Sequence, residues 1–195
     1  MQRRRFLGAI GAVAVALSGC TTLANQLNTE KNPEGSGDSG GGGNNQQLTT
    51  ENKEKQKREL LRAYKKGITK MNNASGKLKD AADAVDKENY ATAASKATAA
   101  KPIISDARSQ FETAEEIAIE VNDSKVGTWM VKAKLAAENL KTAADSMRKY
   151  AEAMNKGKRQ VANGYLGIVQ NTTKETERLM KEAGPPKRVK NRLGI

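Results

Sequence analysis

From Leu61 to Val85 apolar side chains return at alternating steps of three and four: Leu61, Tyr64, Ile68, Met71, Leu78, Ala82 and Val85, with Ser75 in the one remaining place. This heptad stripe, of the kind that builds coiled coils, turns one face of an α-helix toward a core. It predicts a first helix from about Glu51 to Val85. Asp86-Lys87-Glu88-Asn89 then breaks the pattern, and Asn89 is a residue whose side-chain oxygen can cap a following helix. A second stripe runs Tyr90, Ala94, Ala97, Ala100, Ile104, Ala107, Phe111, Ala114, Ala118 and Val121, with Pro102 off the stripe and expected to kink the helix near Thr98 to Lys101. Asn122-Asp123-Ser124 reads as a turn with a ready cap. A third stripe follows through Val126, Trp129, Ala133, Ala136, Leu140, Ala143, Met147, Tyr150 and Met154. Asn155-Lys156-Gly157 has the form of a helix C-terminus with glycine in the left-handed region. A fourth stripe is read through Val161, Tyr165, Ile168, Thr172 and Leu179, and Gly184-Pro185-Pro186 stops it.

Four helices of similar length with short connections pack as antiparallel neighbours, so the predicted fold is all-α, an up-down-up-down four-helix bundle over residues 51–184. A three-helix alternative merges the last two helices through Gly157, because the third stripe continues almost in phase across it. Leu78-Lys79-Asp80-Ala81-Ala82-Asp83 recurs as Leu140-Lys141-Thr142-Ala143-Ala144-Asp145, a faint duplication that suits two hairpins. Many core positions are alanine, which permits close helix approach and buries little area per residue, so stability is expected to be modest.

Outside the stripes the chain changes character. Thr21 to Thr50 is polar and rich in Gly, Asn and Gln, including Gly40-Gly41-Gly42-Gly43. A segment of that composition buries too little apolar surface to offset its ordering entropy, and residues 20–50 are read as a flexible linker. Before it, Arg3, Arg4 and Arg5 precede an apolar run from Phe6 to Gly19 that falls short of the roughly 20 residues a spanning helix needs. Residues 1–19 therefore read as a signal peptide. The run closes on Leu17-Ser18-Gly19-Cys20, where small residues admit a peptidase before the only cysteine of the chain.

Leu17-Ser18-Gly19-Cys20 resembles the lipobox of prokaryotic lipoproteins, and Arg3-Arg4-Arg5-Phe6-Leu7 resembles the twin-arginine export signal, in which two arginines and any residue precede Phe-Leu. The resemblance covers the leader alone. It implies lipid attachment at the Cys20 sulfur, removal of residues 1–19, and a domain held to the outer side of a cell membrane. Gln2 stands where the twin-arginine signal more often has Ser or Thr, which leaves the general secretion route open beside it.

The 195 residues carry 34 Lys and Arg against 22 Asp and Glu, a net charge of +12 that falls to +9 when the three leader arginines are lost. A basic exported protein is biased toward polyanions. Histidine is absent and the single cysteine is assigned to lipid, so triad catalysis and histidine-ligated metal sites have no residues to work with. No glycine-rich phosphate loop is present, because the Gly40 to Gly43 run lacks a following Lys-Ser or Lys-Thr. The expectation is a non-enzyme with no catalytic residue, no metal and no cofactor. Glu112, Glu115, Glu116, Glu120 and Asp123 crowd the end of the second helix; they suit a hard cation such as calcium, but a solvated face answered by lysines at the start of the first helix is the favoured reading. The aromatics fall on the stripes and are assigned to the core.

Antiparallel packing brings Lys53, Lys55, Lys57, Arg58 and Arg62 to the same end as the tail residues Lys187, Arg188, Lys190 and Arg192 of segment 185–195. Together they form a candidate basic patch where the linker enters, with a disordered solubilising terminus as the alternative for the tail. The expected function is a membrane-anchored, non-enzymatic lipoprotein whose extracytoplasmic bundle binds or scaffolds another macromolecule, with a protein at the cell surface as partner. Two alternatives stand beside it: a polyanion binder acting on nucleic acid, acidic polymer or anionic lipid, and a bundle enclosing a small ligand. Nothing in the stripes sets an oligomeric state.

Overall fold

The computed structural model describes residues 45–195. The expected leader residues Arg3, Arg4, Phe6, Leu7, Leu17, Ser18, Gly19 and Cys20 lie outside the described residues, as does most of the expected linker. Four long helices follow one another: α1 Asn45–Asp86, α2 Tyr90–Glu120, α3 Ser124–Asn155 and α4 Arg159–Ala183; a short fifth, α5, spans Pro186–Leu193. The fold is the all-α four-helix bundle expected from the stripes.

The three connections stop and restart the chain by the local chemistry that the sequence carries. Asn89 accepts a hydrogen bond from the Thr92 amide at 3.2 Å, and Asp123 accepts one from the Val126 amide at 3.1 Å, so α2 and α3 both begin on a side-chain cap. Glu88, Asn122 and Gly157 take positive φ angles of 58°, 60° and 69° and reverse the chain. Gly157 ends α3 and separates it from α4, which removes the merged three-helix alternative.

Pairing between helices is in register. Gln56–Glu120, Lys70–Asp106 and Lys96–Asp80 tie α1 to α2, each pair advancing along one helix by as much as it retreats along the other. Lys101–Asp145 and Arg108–Glu138 do the same for α2 and α3, and Lys132–Glu182 and Lys134–Glu115 add an α3–α4 and an α2–α3 tie. Most of these pairs are a third or more exposed, where the worth of one pair is about 1 kcal/mol or less; Lys134–Glu115 is the more buried of them. Consecutive helices pack extensively against each other, whereas α1 meets α3 only slightly. Leu78 and Leu140, equivalent positions of the faint duplication, line the same internal space.

The first three stripes are the core. Tyr64, Met71, Ile104, Phe111, Met130, Leu140 and Met147 are fully buried, and alanines fill the spaces between them. The rings of Tyr64 and Phe111 lie 5.7 Å apart, and Gly67 lets the Phe111 ring press onto the α1 backbone; a β-carbon there would stand 2.4 Å from the ring. Pro102 does not interrupt α2, since its ring and Thr98 both face solvent and the carbonyl deprived of a donor lies on the solvent side.

Three expectations are corrected. The first helix begins at Asn45, so residues 45–50, assigned to the linker, are helical; past the glycines, Gln46, Gln47 and Leu48 extend a helix already nucleated at low cost. The fourth stripe is rotated by one residue: Ala162, Val169, Thr173, Thr176, Met180 and Ala183 face the core with Leu179, while Val161 and Ile168 are 51% and 42% exposed. Small side chains turned inward let α4 lie close to Ala136 and Ala143 of α3, and the turn at Gly157 resets the helical phase. Third, the tail is not a loose terminus: it is helical, and two of its four cations are drawn into contacts with the bundle. Its Val189 and Leu193, four residues apart, are buried against the bundle.

Candidate functional site: the basic end and its C-terminal clasp

Gly184-Pro185-Pro186 ends α4 and starts α5 in one step. Gly184 takes φ 83°, a conformation that glycine adopts without strain, and Pro186 occupies the first helical turn, where its missing N–H costs nothing. The Tyr64 hydroxyl of α1 donates to the Gly184 carbonyl at 2.5 Å. That bond is buried, and it fixes the tail to α1 at the point where it turns.

From there α5 crosses the end of the bundle. Its Arg188 guanidinium lies 4.4 Å from the centre of the Trp129 ring of α3, a cation–π contact, and also donates to the Glu182 carbonyl at 3.4 Å. Arg192 donates to the Asp123 carboxylate at 3.2 Å, so Asp123 caps α3 and holds the tail with the same side chain. Two of the four tail cations of the candidate basic patch are therefore engaged in holding the tail down. Lys187 and Lys190 remain exposed and have no ion pair among the described residues.

Lys53, Lys55, Arg58 and Arg62 are exposed on α1 and Lys57 is half-buried. Arg58 pairs loosely with Glu54 at 3.6 Å. Because Gln56 is level with Glu120 at the end of α2, residues 45–55 project past the turn into α3 by roughly 16 Å at 1.5 Å per residue. α5 touches α1, so Lys187 and Lys190 join Lys53, Lys55, Lys57 and Arg62 at the end of the bundle from which the N-terminal lead departs.

The acidic crowd on α2 has a different set of partners from the one expected. Glu112 pairs with Arg108 of its own helix, Glu115 with Lys134 of α3, Glu120 with Gln56, and Asp123 with Arg192. From the start of α1, Gln56 reaches it by donating to Glu120. Among the described residues no group of three acidic, histidine or cysteine side chains is placed to hold a metal ion.

On the α3–α4 side, Lys132 donates to the Glu182 carboxylate, which also accepts from Arg178, and Arg178 is bidentate to Glu175. Lys132 chiefly, with Arg178, holds the Glu182 carboxyl below the usual carboxylate range; Arg178 does the same for Glu175. At the opposite end, burial pushes the Tyr150 phenol above its ordinary value, with Tyr90 and Asp86 adding to the shift.

Between α1, α3 and α4 lies a cavity of about 10 Å³ lined by Ser75, Leu78, Leu140, Ala143, Met147, Val169 and Thr173. That is room for one water molecule. Ser75, the serine that interrupts the first stripe, is buried there, and its hydroxyl has no partner among the described residues. The clasp itself escaped sequence reasoning. A signal for it was present in Pro186 followed by Val189 and Leu193, a one-turn apolar repeat behind a helix-starting proline. Compared with protein-family models, curated proteins and solved structures, the chain matches none.

Proposed function

We propose that the chain is an exported, lipid-anchored and non-enzymatic binding module. Cys20 carries the lipid after removal of residues 1–19, residues between it and α1 act as a tether, and the bundle engages another macromolecule on the outer side of the membrane. The observation that supports surface binding is the core itself. Among the described residues the buried core is rich in alanine, and the space between α1, α3 and α4 has room of about 10 Å³, too small for an organic ligand, which favours recognition on the outer faces. The small-ligand alternative has no support from such a core.

Fractionation and mass spectrometry of the native chain test the anchor. Acylation of the Cys20 sulfur and a new N-terminus at that residue are expected, and Cys20→Ala should release the domain or leave the precursor uncleaved. Membrane retention and leader removal unchanged in Cys20→Ala contradict the anchor. Crosslinking at the native cell surface then identifies the neighbour.

A second reading is favoured by the cations gathered at the lead end, Lys53, Lys55, Arg62, Lys187 and Lys190, for which the described residues supply no ion pair. In that reading this end binds a polyanion such as nucleic acid, an acidic polymer or anionic lipid. Affinity for a polyanion must fall steeply with salt, because each neutralised charge releases a counterion. Binding insensitive to ionic strength rules this reading out.

A further inference from the structure

Helix α4 carries two apolar stripes; the bundle buries one and covers the other only in part. The second, Val161, Tyr165, Ile168 and Thr172, repeats at steps of four and three; Val161 and Ile168 are exposed, while Tyr165 and Thr172 are half-buried and Tyr165 packs against the edge of the core. Beside it Gly164 and Gly167 have nothing within 4 Å of where a β-carbon would stand, so a backbone can approach α4 closely there.

The charges around this stripe that have no ion pair among the described residues are positive. Lys149 places its ammonium 5.8 Å from the centre of the Tyr165 ring, and Lys156, Lys158 and Arg159 stand exposed at the start of α4. None of the four has an ion pair among the described residues. The nearby carboxylates Glu152 and Glu175 are already engaged by Arg148 and Arg178. A heptad-spaced apolar seam with a basic rim is complementary to a helix of opposite charge.

Resting on the reading of the chain as a macromolecular binding module, we propose that the outer α3–α4 face centred on Val161, Tyr165 and Ile168 docks an acidic amphipathic helix of a partner protein. Protein is favoured over membrane by position. The start of α4 lies at the end of the bundle opposite the start of α1, so in a chain anchored through its N-terminal lead this face points away from the lipid. A second copy of the chain is disfavoured because it would bring Lys149, Lys156, Lys158 and Arg159 to a surface of the same sign.

The test uses the full mature chain and a fluorescent peptide about three heptads long, with Leu at the a and d positions and Glu flanking them. A scrambled peptide of the same composition is the control. Saturable anisotropy is expected for the amphipathic peptide and not for the control. The pair Val161→Ser with Ile168→Ser should weaken binding about tenfold or more, with the circular-dichroism melt unchanged because both side chains are exposed. Lys158→Gln with Arg159→Gln should weaken it and flatten its salt dependence. The proposal is overturned by equal binding of the scrambled peptide, by affinity unchanged in the serine pair, or by no binding at all. It is also overturned if the serine pair abolishes self-association in sedimentation or binding to phosphatidylglycerol vesicles while peptide binding is missing. The peptide is added in solution, so its outcome does not depend on Cys20: failure here with a normal anchor removes the docking face and leaves the anchored module standing.

Discussion

Glycine-to-alanine substitution at two positions of α1 should move stability in opposite directions. In a helix interior, alanine is favoured over glycine by about 1 kcal/mol. At Gly76 nothing lies within 4 Å of the added carbon, so Gly76→Ala should realise that gain. At Gly67 the added carbon stands 2.4, 2.6 and 2.9 Å from three carbons of the Phe111 ring. The ring has little room to retreat: Phe111 is fully buried, Tyr64 is 5.7 Å away, and Tyr64 is itself tied to Gly184. Overpacking a buried site costs about 1–3 kcal/mol. With three ring carbons affected the cost belongs in the upper part of that range, which leaves Gly67→Ala destabilised by about 1–2 kcal/mol after the propensity gain. Urea unfolding followed by far-ultraviolet circular dichroism reads both numbers, and in a thermal melt each kcal/mol corresponds to about 2–4 °C for a domain of this size. If Gly67→Ala stabilises the protein as much as Gly76→Ala does, the close approach of Phe111 to α1 is wrong.

Other consequences are open to the same methods. Asp123→Ala should cost more than Asn89→Ala, each losing a cap worth about 1 kcal/mol, because Asp123 also holds Arg192; Asp123→Asn should recover the cap but not the ion pair. Removal of residues 185–195 should uncover Trp129, the only tryptophan, and shift its fluorescence to longer wavelength, and Arg188→Ala should do so in part. An unchanged spectrum after truncation would show that the clasp does not form. Glu182 and Glu175 have folded-state pKa values below their ordinary 4.5, so what they add is complete above that pH and fades as pH falls through the lowered values. Glu182→Gln should therefore melt with a flatter pH dependence than the parent in the acid range, and equal slopes would contradict the Lys132–Glu182 tie.

Stripe spacing, caps and glycines made the helices legible because each is a local property. A side chain three or four residues along meets its neighbour whatever the rest of the chain does, and Asn89, Asp123 and Gly157 act on the amides and carbonyls within a turn of themselves. The lipobox-like run ending at Cys20 and the absence of histidine are local facts of the same kind. Phase and partner choice are not local. Val161, Tyr165 and Ile168 make as good a stripe as Ala162, Val169 and Thr173; the packing of α4 against the alanines of α3 selected the smaller set, because close-packed interiors reward fit over hydrophobicity alone. For the same reason the tail could not be placed from its charges. Lys187, Arg188, Lys190 and Arg192 look alike in sequence, and only the positions of the Trp129 ring and the Asp123 carboxylate after the helices are assembled separate the two that hold the clasp from the two that face solvent. By itself the chain determined where helices begin, end and bury a face; tertiary structure decided which face of α4 is buried and which charges are left free, since both depend on side chains that meet only across the fold.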